Sequence, residues 1–134
     1  MATLLRNLFF GAILFLSCTA NSQCPKSEAW VGGRLSGDFH ILVFQNQDRL
    51  NADRFCSGIR RETIIDSFNI LIIRDTSIVF RSKNIGPVFN SNFMAFTKKL
   101  VPNDKVVFYS IWGTDYDATK VYLDPLEYRL SEEK

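Results

Sequence analysis

Alternation of apolar and polar residues in several short stretches predicts a chain built mainly of β-strands. Residues 39–44 are apolar at both odd and even positions, with the exception of His40. This pattern predicts a central strand that is covered on both faces. Residues 64–74 are rich in β-branched and aromatic side chains and give the clearest strand prediction. Residues 77–83 alternate more strictly and predict a strand with one face in water.

The C-terminal third of the sequence predicts two more strands around a turn. Residues 105–112 alternate again, with Val107, Tyr109 and Ile111 expected on one side. Residues 113–118 read as a hairpin-like turn. In the last strand the apolar positions then change parity, from odd to even, across Asp124-Pro125: Val121, Leu123, Leu126, Tyr128 and Leu130. Proline at that point predicts a bulge or an edge strand.

One stretch has the periodicity of a helix, from Asn90 to Leu100. Phe93 and Phe96 form an apolar stripe with Leu100, and Asn90 or Ser91 is suited to cap the first turn. Residues 101–104 follow as a type I turn with proline in its favoured second place.

These elements predict an all-β fold, specifically an immunoglobulin-like antiparallel β-sandwich with one short α-helix closing one end. Residues 45–61 are polar and read as a loop, and residues 23–37 as an irregular lead-in to a domain spanning residues 38–134. The residues expected to be buried are Ile70, Ile72, Phe93, Phe96 and Phe108.

The first 22 residues have the three-part layout of a secretory signal peptide. Arg6 supplies the positive charge, residues 8–16 form an apolar run too short to span a membrane, and small and polar residues follow. Cleavage after Ser22 would leave Gln23 as the first residue. The alternative is a loose lipobox that ends at Cys18 and leads to a lipid anchor. Either way the protein is exported, to the periplasm, the outer membrane or the extracellular side.

The charge balance and the composition limit the classes of partner that the protein is expected to bind. Removing Arg6 from 16 basic residues leaves 15 against 14 acidic ones, a net charge of +1. That balance favours neither nucleic acid nor an anionic membrane surface as a partner. Nine of the twelve phenylalanines lie beyond the signal, which indicates a folded core.

Two cysteines, Cys24 and Cys56, remain whichever way Cys18 is used. In an oxidising compartment an even pair is most simply a disulfide, and the alternative is two unpaired buried thiols. The pair is not a CxxC motif, so no redox activity is predicted.

Catalytic and metal-binding patterns are sparse, and we expect neither an enzyme nor a cofactor or metal. His40, the one histidine, lies among apolar neighbours and reads as a packed side chain. Asp115 and Asp117 share the spacing of a calcium loop but supply too few oxygens. Asp124 and Glu127 could serve a glycosidase, although nothing distinguishes them from surface charges.

The C-terminal part of the chain has a helix, the Lys98 to Phe108 segment KKLVPNDKVVF, the 113–118 turn and the 123–128 segment LDPLEY in succession. With these motifs, the chain from about residue 77 resembles the C-terminal domain of GldM, the motor component of bacterial gliding motility and type IX secretion. Asn103 stands where that family usually has glycine. The resemblance implies a partner in the envelope, such as the outer-membrane ring of the secretion machine, and no catalytic residues.

Two functions from different classes therefore remain. The first is a non-enzymatic envelope protein-interaction module, with Tyr116 and Tyr122 beside an edge strand as its partner-binding residues. The second is a small exported carbohydrate-binding or hydrolytic domain that uses exposed aromatic residues such as Trp112, Tyr116 and Tyr122. A line of exposed aromatic rings beside carboxylates would favour the second.

Overall fold

The computed structural model describes residues 24–132. The predicted signal peptide, the lipid-anchor alternative at Cys18, and Gln23 lie outside the described residues, as do residues 133–134. The described chain has eight strands and two short helices, so the prediction of an all-β, sandwich-like fold is confirmed. In chain order the elements are β1 (Glu28–Trp30), β2 (Gly37–His40), α1 (Ile41–Gln45), β3 (Asn51–Cys56), β4 (Ile59–Arg74), β5 (Ser77–Ile85), α2 (Ser91–Thr97), β6 (Lys105–Thr114), β7 (Lys120–Leu123) and β8 (Leu126–Ser131).

The antiparallel strands β4 and β6 form the centre of the sheet, and each pairs with two different strands along its other edge. Strand β4 pairs with β3 over residues 59–63 and with β5 over residues 67–74. Strand β6 pairs with β8 over residues 105–108 and with β7 over residues 111–114. The sheet therefore has two halves, one with the strand order β1-β3-β4-β6-β7 and the other with the order β5-β4-β6-β8-β2.

Two bulges lie where β4 and β6 pass from one half to the other. The register skips Asp66 on β4 and one position on β6 near Ser110, which has a φ of 49°. The extra residue on β6 moves Ile111 to the same side as Val106 and Phe108, and all three are buried. The expectation that Val107, Tyr109 and Ile111 share a face is therefore wrong.

Residues 39–44 do not form a single strand as expected. Strand β2 ends at His40, and helix α1 begins at Ile41. His40 Nδ1 accepts a hydrogen bond from the Leu42 N–H at 3.2 Å and caps the helix. Ile41 and Phe44 are three residues apart and are both buried in the core, as helical spacing allows. The neighbouring residues are also apolar, so this spacing cannot be recognised from the sequence.

Residues 45–61 contain strand β3 and the start of β4 rather than a loop. Only Ala52 of β3 is buried, opposite the buried Thr63, so this strand lacks the apolar alternation that would reveal it. The lead-in likewise contains strand β1, which pairs with β3. Ala29 and Val31 of that segment belong to the core.

The break at Asp124-Pro125 divides the last predicted strand into β7 and β8. Strand β8 pairs with β6 on one side and with β2 on the other, so the expectation of an edge position for the final strand is wrong for β8. The β2–β8 pair is parallel, which departs from a wholly antiparallel sandwich. Strand β7 pairs with β6 alone and takes the edge position.

The predicted helix is present but shorter, as α2 over Ser91–Thr97. Asn90 is its cap, with Oδ1 accepting from the Phe93 N–H at 2.8 Å. The turn after it has Asn103 at a φ of 72°, so the expectation of a type I turn is wrong, and Asp104 holds it by accepting a hydrogen bond from the Val101 N–H at 2.9 Å. No helix in residues 24–132 has the length and apolar character needed to cross a membrane.

Aromatic rings dominate the core around Phe108. Its ring centroid lies 5.7 Å from those of Phe68 and Phe89 and 6.0 Å from that of Phe93. Of the predicted core residues, Ile70, Ile72, Phe93 and Phe108 are fully buried, whereas Phe96 is only half-buried. The buried Tyr128 donates its hydroxyl hydrogen to the Arg34 carbonyl and accepts from the Val31 N–H, which fixes the lead-in to β8.

Candidate interaction surface

Four outward side chains form one row across β5, β4, β6 and β7. The register places Ile85 opposite Ser67, Ser67 opposite Trp112, and Trp112 opposite Tyr122. Residues directly opposite each other in antiparallel pairs share a face of the sheet. We call these four residues the outer row.

The outer row is unusually apolar for a solvent-facing surface. Ile85 is 75% exposed, Trp112 46% and Tyr122 48%. The rings of Trp112 and Tyr122 are 4.9 Å apart and nearly perpendicular, at 71°. The bulge near Ser110 is responsible, because it turns Ile111 into the core and leaves Trp112 on the outside. Exposed apolar patches of this kind are typical of binding surfaces.

Strand β7 gives the outer row an open edge. It pairs with residues 111–114 of β6, and no second strand partner lies on its other side within residues 24–132. An edge strand presents unpaired backbone N–H and C=O groups that an incoming strand can complete. The edge expected on the final strand thus lies on β7, with Tyr122 on it.

A polar network adjoins Trp112 and Tyr122. Thr114 donates its hydroxyl hydrogen to Asp66 Oδ2 at 2.8 Å, and Lys120 Nζ lies 3.1 Å from that oxygen and 2.7 Å from Thr114 Oγ1. The Thr114 hydrogen bond, with a further contribution from Lys120, lowers the pKa of the Asp66 carboxyl. The network joins the bulge of β4 to β6 and β7 and so holds the edge strand in register.

Tyr116 lies in a different cluster, among arginines. The guanidinium carbons of Arg54 and Arg61 are 5.3 Å and 5.0 Å from its ring centroid. Arg54 Nη2 also forms a 2.9 Å ion pair with the buried Asp115. The ring contacts of Tyr116 and Tyr122 therefore involve different partners, and the structure does not bring the two predicted binding tyrosines together.

Cys24 and Cys56 form a disulfide beside the Tyr116 cluster. Their Cα atoms are 4.4 Å apart, within the range that a disulfide requires, and the Tyr116 hydroxyl lies 3.8 Å from Cys56 Sγ. The bond ties the start of the lead-in to the end of β3.

The carboxylates considered for catalysis or calcium are engaged elsewhere. Asp124 pairs with Lys26 at 2.7 Å and Glu127 with Lys105 at 3.4 Å, both on the surface. Asp117 accepts a hydrogen bond from the Thr119 N–H, and the side chain of Thr119, followed by this backbone group, lowers the pKa of Asp117. Residues 24–132 contain no group of three or more histidine, cysteine or acidic side chains placed to hold a metal ion.

A groove of about 580 Å³ lies away from the outer row. Arg34, Asp38, His40 and Arg129 line it, together with the turn at Pro102. Arg129 faces Asp38 at 3.6 Å, and His40 Nδ1 is occupied by the cap of α1. Two of its charged groups, Arg129 and Asp38, thus pair with each other.

Sequence patterns did not reveal Ile85 as part of this surface. It follows the predicted 77–83 strand, and its place in the outer row depends on pairings across three other strands. The only sign of it in the sequence is that Ile85 is a large apolar residue directly before the Gly86-Pro87 turn.

No family model and no curated protein matches the chain.

Proposed function

We propose that this protein is a non-enzymatic interaction module of the bacterial envelope that binds another exported protein through the outer row and the open edge of β7. One observation carries the proposal: the exposed Trp112–Tyr122 pair borders an open edge, with Tyr122 on the edge strand β7 and Trp112 on the neighbouring strand β6. Aromatic rings contribute a large share of binding energy at protein interfaces, and an open strand edge supplies directional hydrogen bonds.

The expected binding mode is addition of a strand to β7. Backbone groups of the partner segment pair with β7, and every second side chain of that segment lies on the same face as Trp112 and Tyr122. Lys120, already paired with Asp66, borders this contact and adds a polar rim.

Export and the nature of the partner form part of the same proposal. The Cys24–Cys56 disulfide supports an oxidising compartment. The succession of α2, the turn at Asp104, β6 and the strands separated by Pro125 supports a relation to the GldM C-terminal domain. On this basis the partner is a component of gliding motility or type IX secretion, located in the periplasm or at the outer membrane.

The carbohydrate-binding or hydrolytic alternative has less geometric support. A sugar ring stacks best on flat aromatic faces, whereas the Trp112 and Tyr122 rings are nearly perpendicular. Tyr116 belongs to the arginine cluster instead of extending the row. Asp124 and Glu127 each face a lysine on the surface.

Capture from envelope extracts with matched variants tests the proposal. The double variant Trp112→Ala, Tyr122→Ala should lower recovery of the partner at least about tenfold, because each hot-spot aromatic typically contributes 1–2 kcal/mol or more. Leu42→Ala is the control, since Leu42 is 63% exposed on α1, an element that does not pair with β6 or β7. Its recovery should equal that of the wild type.

Equal recovery by the double variant and the wild type would contradict the proposal, provided that both have the same thermal midpoint. Tyr116→Ala separates the two tyrosines. Loss of capture in that variant alone would move the binding surface from the outer row to the arginine cluster.

A further inference from the structure

The tip of the β3–β4 hairpin exposes two large apolar side chains, Phe55 and Ile59. Ser57 and Gly58 form the turn with φ of 53° and 80°, the positive values of a tight two-residue hairpin. On either side of it Phe55 is 53% exposed and Ile59 54%. We call residues 54–61 the hairpin tip.

The apolar side chains project from both faces of the hairpin. Phe55 is paired with Arg60 and Cys56 with Ile59, so Phe55 and Ile59 lie on opposite faces. A flat protein partner would cover one face and leave the other in water. A medium that surrounds the tip from its end accommodates both side chains at once.

Arginines border the apolar side chains of the tip, between the acidic residues Asp53 and Glu62 that flank the segment. Residues 54–61 carry three arginines and no acidic residue. Asp115 neutralises Arg54, and Asp53 neutralises Arg60 at 2.7 Å. Arg61 is exposed, and its guanidinium lies over the Tyr116 ring without an ion-pair partner among residues 24–132.

Tyr116 and the disulfide complete the arrangement. Tyr116 is 51% exposed beside Arg61, and tyrosine is a residue type enriched where lipid meets water. The disulfide at Cys56, directly beside the turn, fastens the tip to the lead-in. A hairpin braced in this way loses little conformational freedom when it binds.

We propose that the hairpin tip binds the surface of an anionic lipid bilayer. Phe55 and Ile59 enter the boundary between headgroups and acyl chains, Tyr116 lies at headgroup level, and Arg61 contacts lipid phosphate. This inference does not depend on the outer row, which consists of other residues and has a different class of partner.

Co-sedimentation of the purified, disulfide-bonded chain with vesicles tests the inference. Vesicles of equal parts phosphatidylglycerol and phosphatidylcholine should bind the chain, and vesicles of phosphatidylcholine alone should bind it several-fold more weakly. Replacing both Phe55→Ser and Ile59→Ser should lower partitioning about tenfold, through lost apolar burial. Arg61→Gln should lower it about fivefold, and added salt should do the same.

The control replaces two exposed apolar residues elsewhere, Leu42→Ser and Ile78→Ser, and should leave partitioning unchanged. The lipid assignment is overturned if the wild type shows no preference for the anionic vesicles, or if the control pair loses as much binding as the tip pair. If the serine pair at the tip does not fold, Arg61→Gln alone decides: unchanged partitioning by that folded variant contradicts the inference.

Discussion

Single buried polar residues set the positions of several loops in this domain. Asp104 is buried and receives two hydrogen bonds of 3.0 Å from the Arg74 guanidinium as well as the Val101 N–H. Asn84, also buried, donates to the carbonyls of Gly86 and Val88. Buried polar groups are costly unless they are paired, so these side chains select one loop conformation over others.

The buried hydroxyl of Tyr128 is expected to contribute measurably to the stability of the fold. Its hydroxyl is buried between the Arg34 carbonyl and the Val31 N–H. Tyr128→Phe should lower the free energy of unfolding by about 1–2 kcal/mol, because both backbone groups lose a buried partner. Urea unfolding near neutral pH measures this loss.

The burial of Tyr128 also leads us to expect that the stability of the fold depends on pH. Burial raises the pKa of Tyr128 to about 12. A group whose pKa is raised by folding stabilises the fold fully below its unfolded pKa, about 10, and loses this contribution as pH rises through the folded value. The wild type should lose stability between about pH 10 and 12, and Tyr128→Phe should lose less. Identical slopes in both proteins would show that Tyr128 does not titrate in this way.

At the scale of elements, the sequence predicts strands that are rich in apolar residues and misses those that are mostly polar. The apolar runs of β4 and β5 and the stripe of α2 were sufficient to predict those elements. Strand β3 was missed because most of its side chains are polar or exposed, and α1 because its apolar run fits a strand equally well. The faces of β6 could not be predicted, because a bulge changes the parity of a strand without any marked residue type.

Replacing Ser110 tests the role of the β6 bulge. Its φ of 49° is a left-handed value, which glycine adopts freely and β-branched residues adopt with strain. Ser110→Gly should match or exceed the wild type in stability, whereas Ser110→Val should be less stable than the glycine variant by about 2 kcal/mol. Urea midpoints compare the three proteins, and a valine variant as stable as the glycine one would rule out this backbone conformation.

At the scale of the whole molecule, the lead-in segment fastens the two halves together. The Cys24–Cys56 disulfide and a buried 2.9 Å hydrogen bond between Ser27 and Thr63 join it to β3 and β4. The bond from the Val31 N–H joins it to β8. Two distinct surfaces result, with the outer row across β5, β4, β6 and β7 and the hairpin tip between β3 and β4. The outer row could not be predicted, since it depends on pairings among strands distant in sequence.

Hydrogen–deuterium exchange on the chain, free and bound to its captured envelope partner, tests the central claim most directly. Strand addition at the open edge of β7 engages backbone N–H groups that otherwise face water. We predict slower exchange in residues 120–123 upon binding, with little change in β1 or β5. Protection confined to another strand, with residues 120–123 unchanged, would contradict the assignment of the interaction surface.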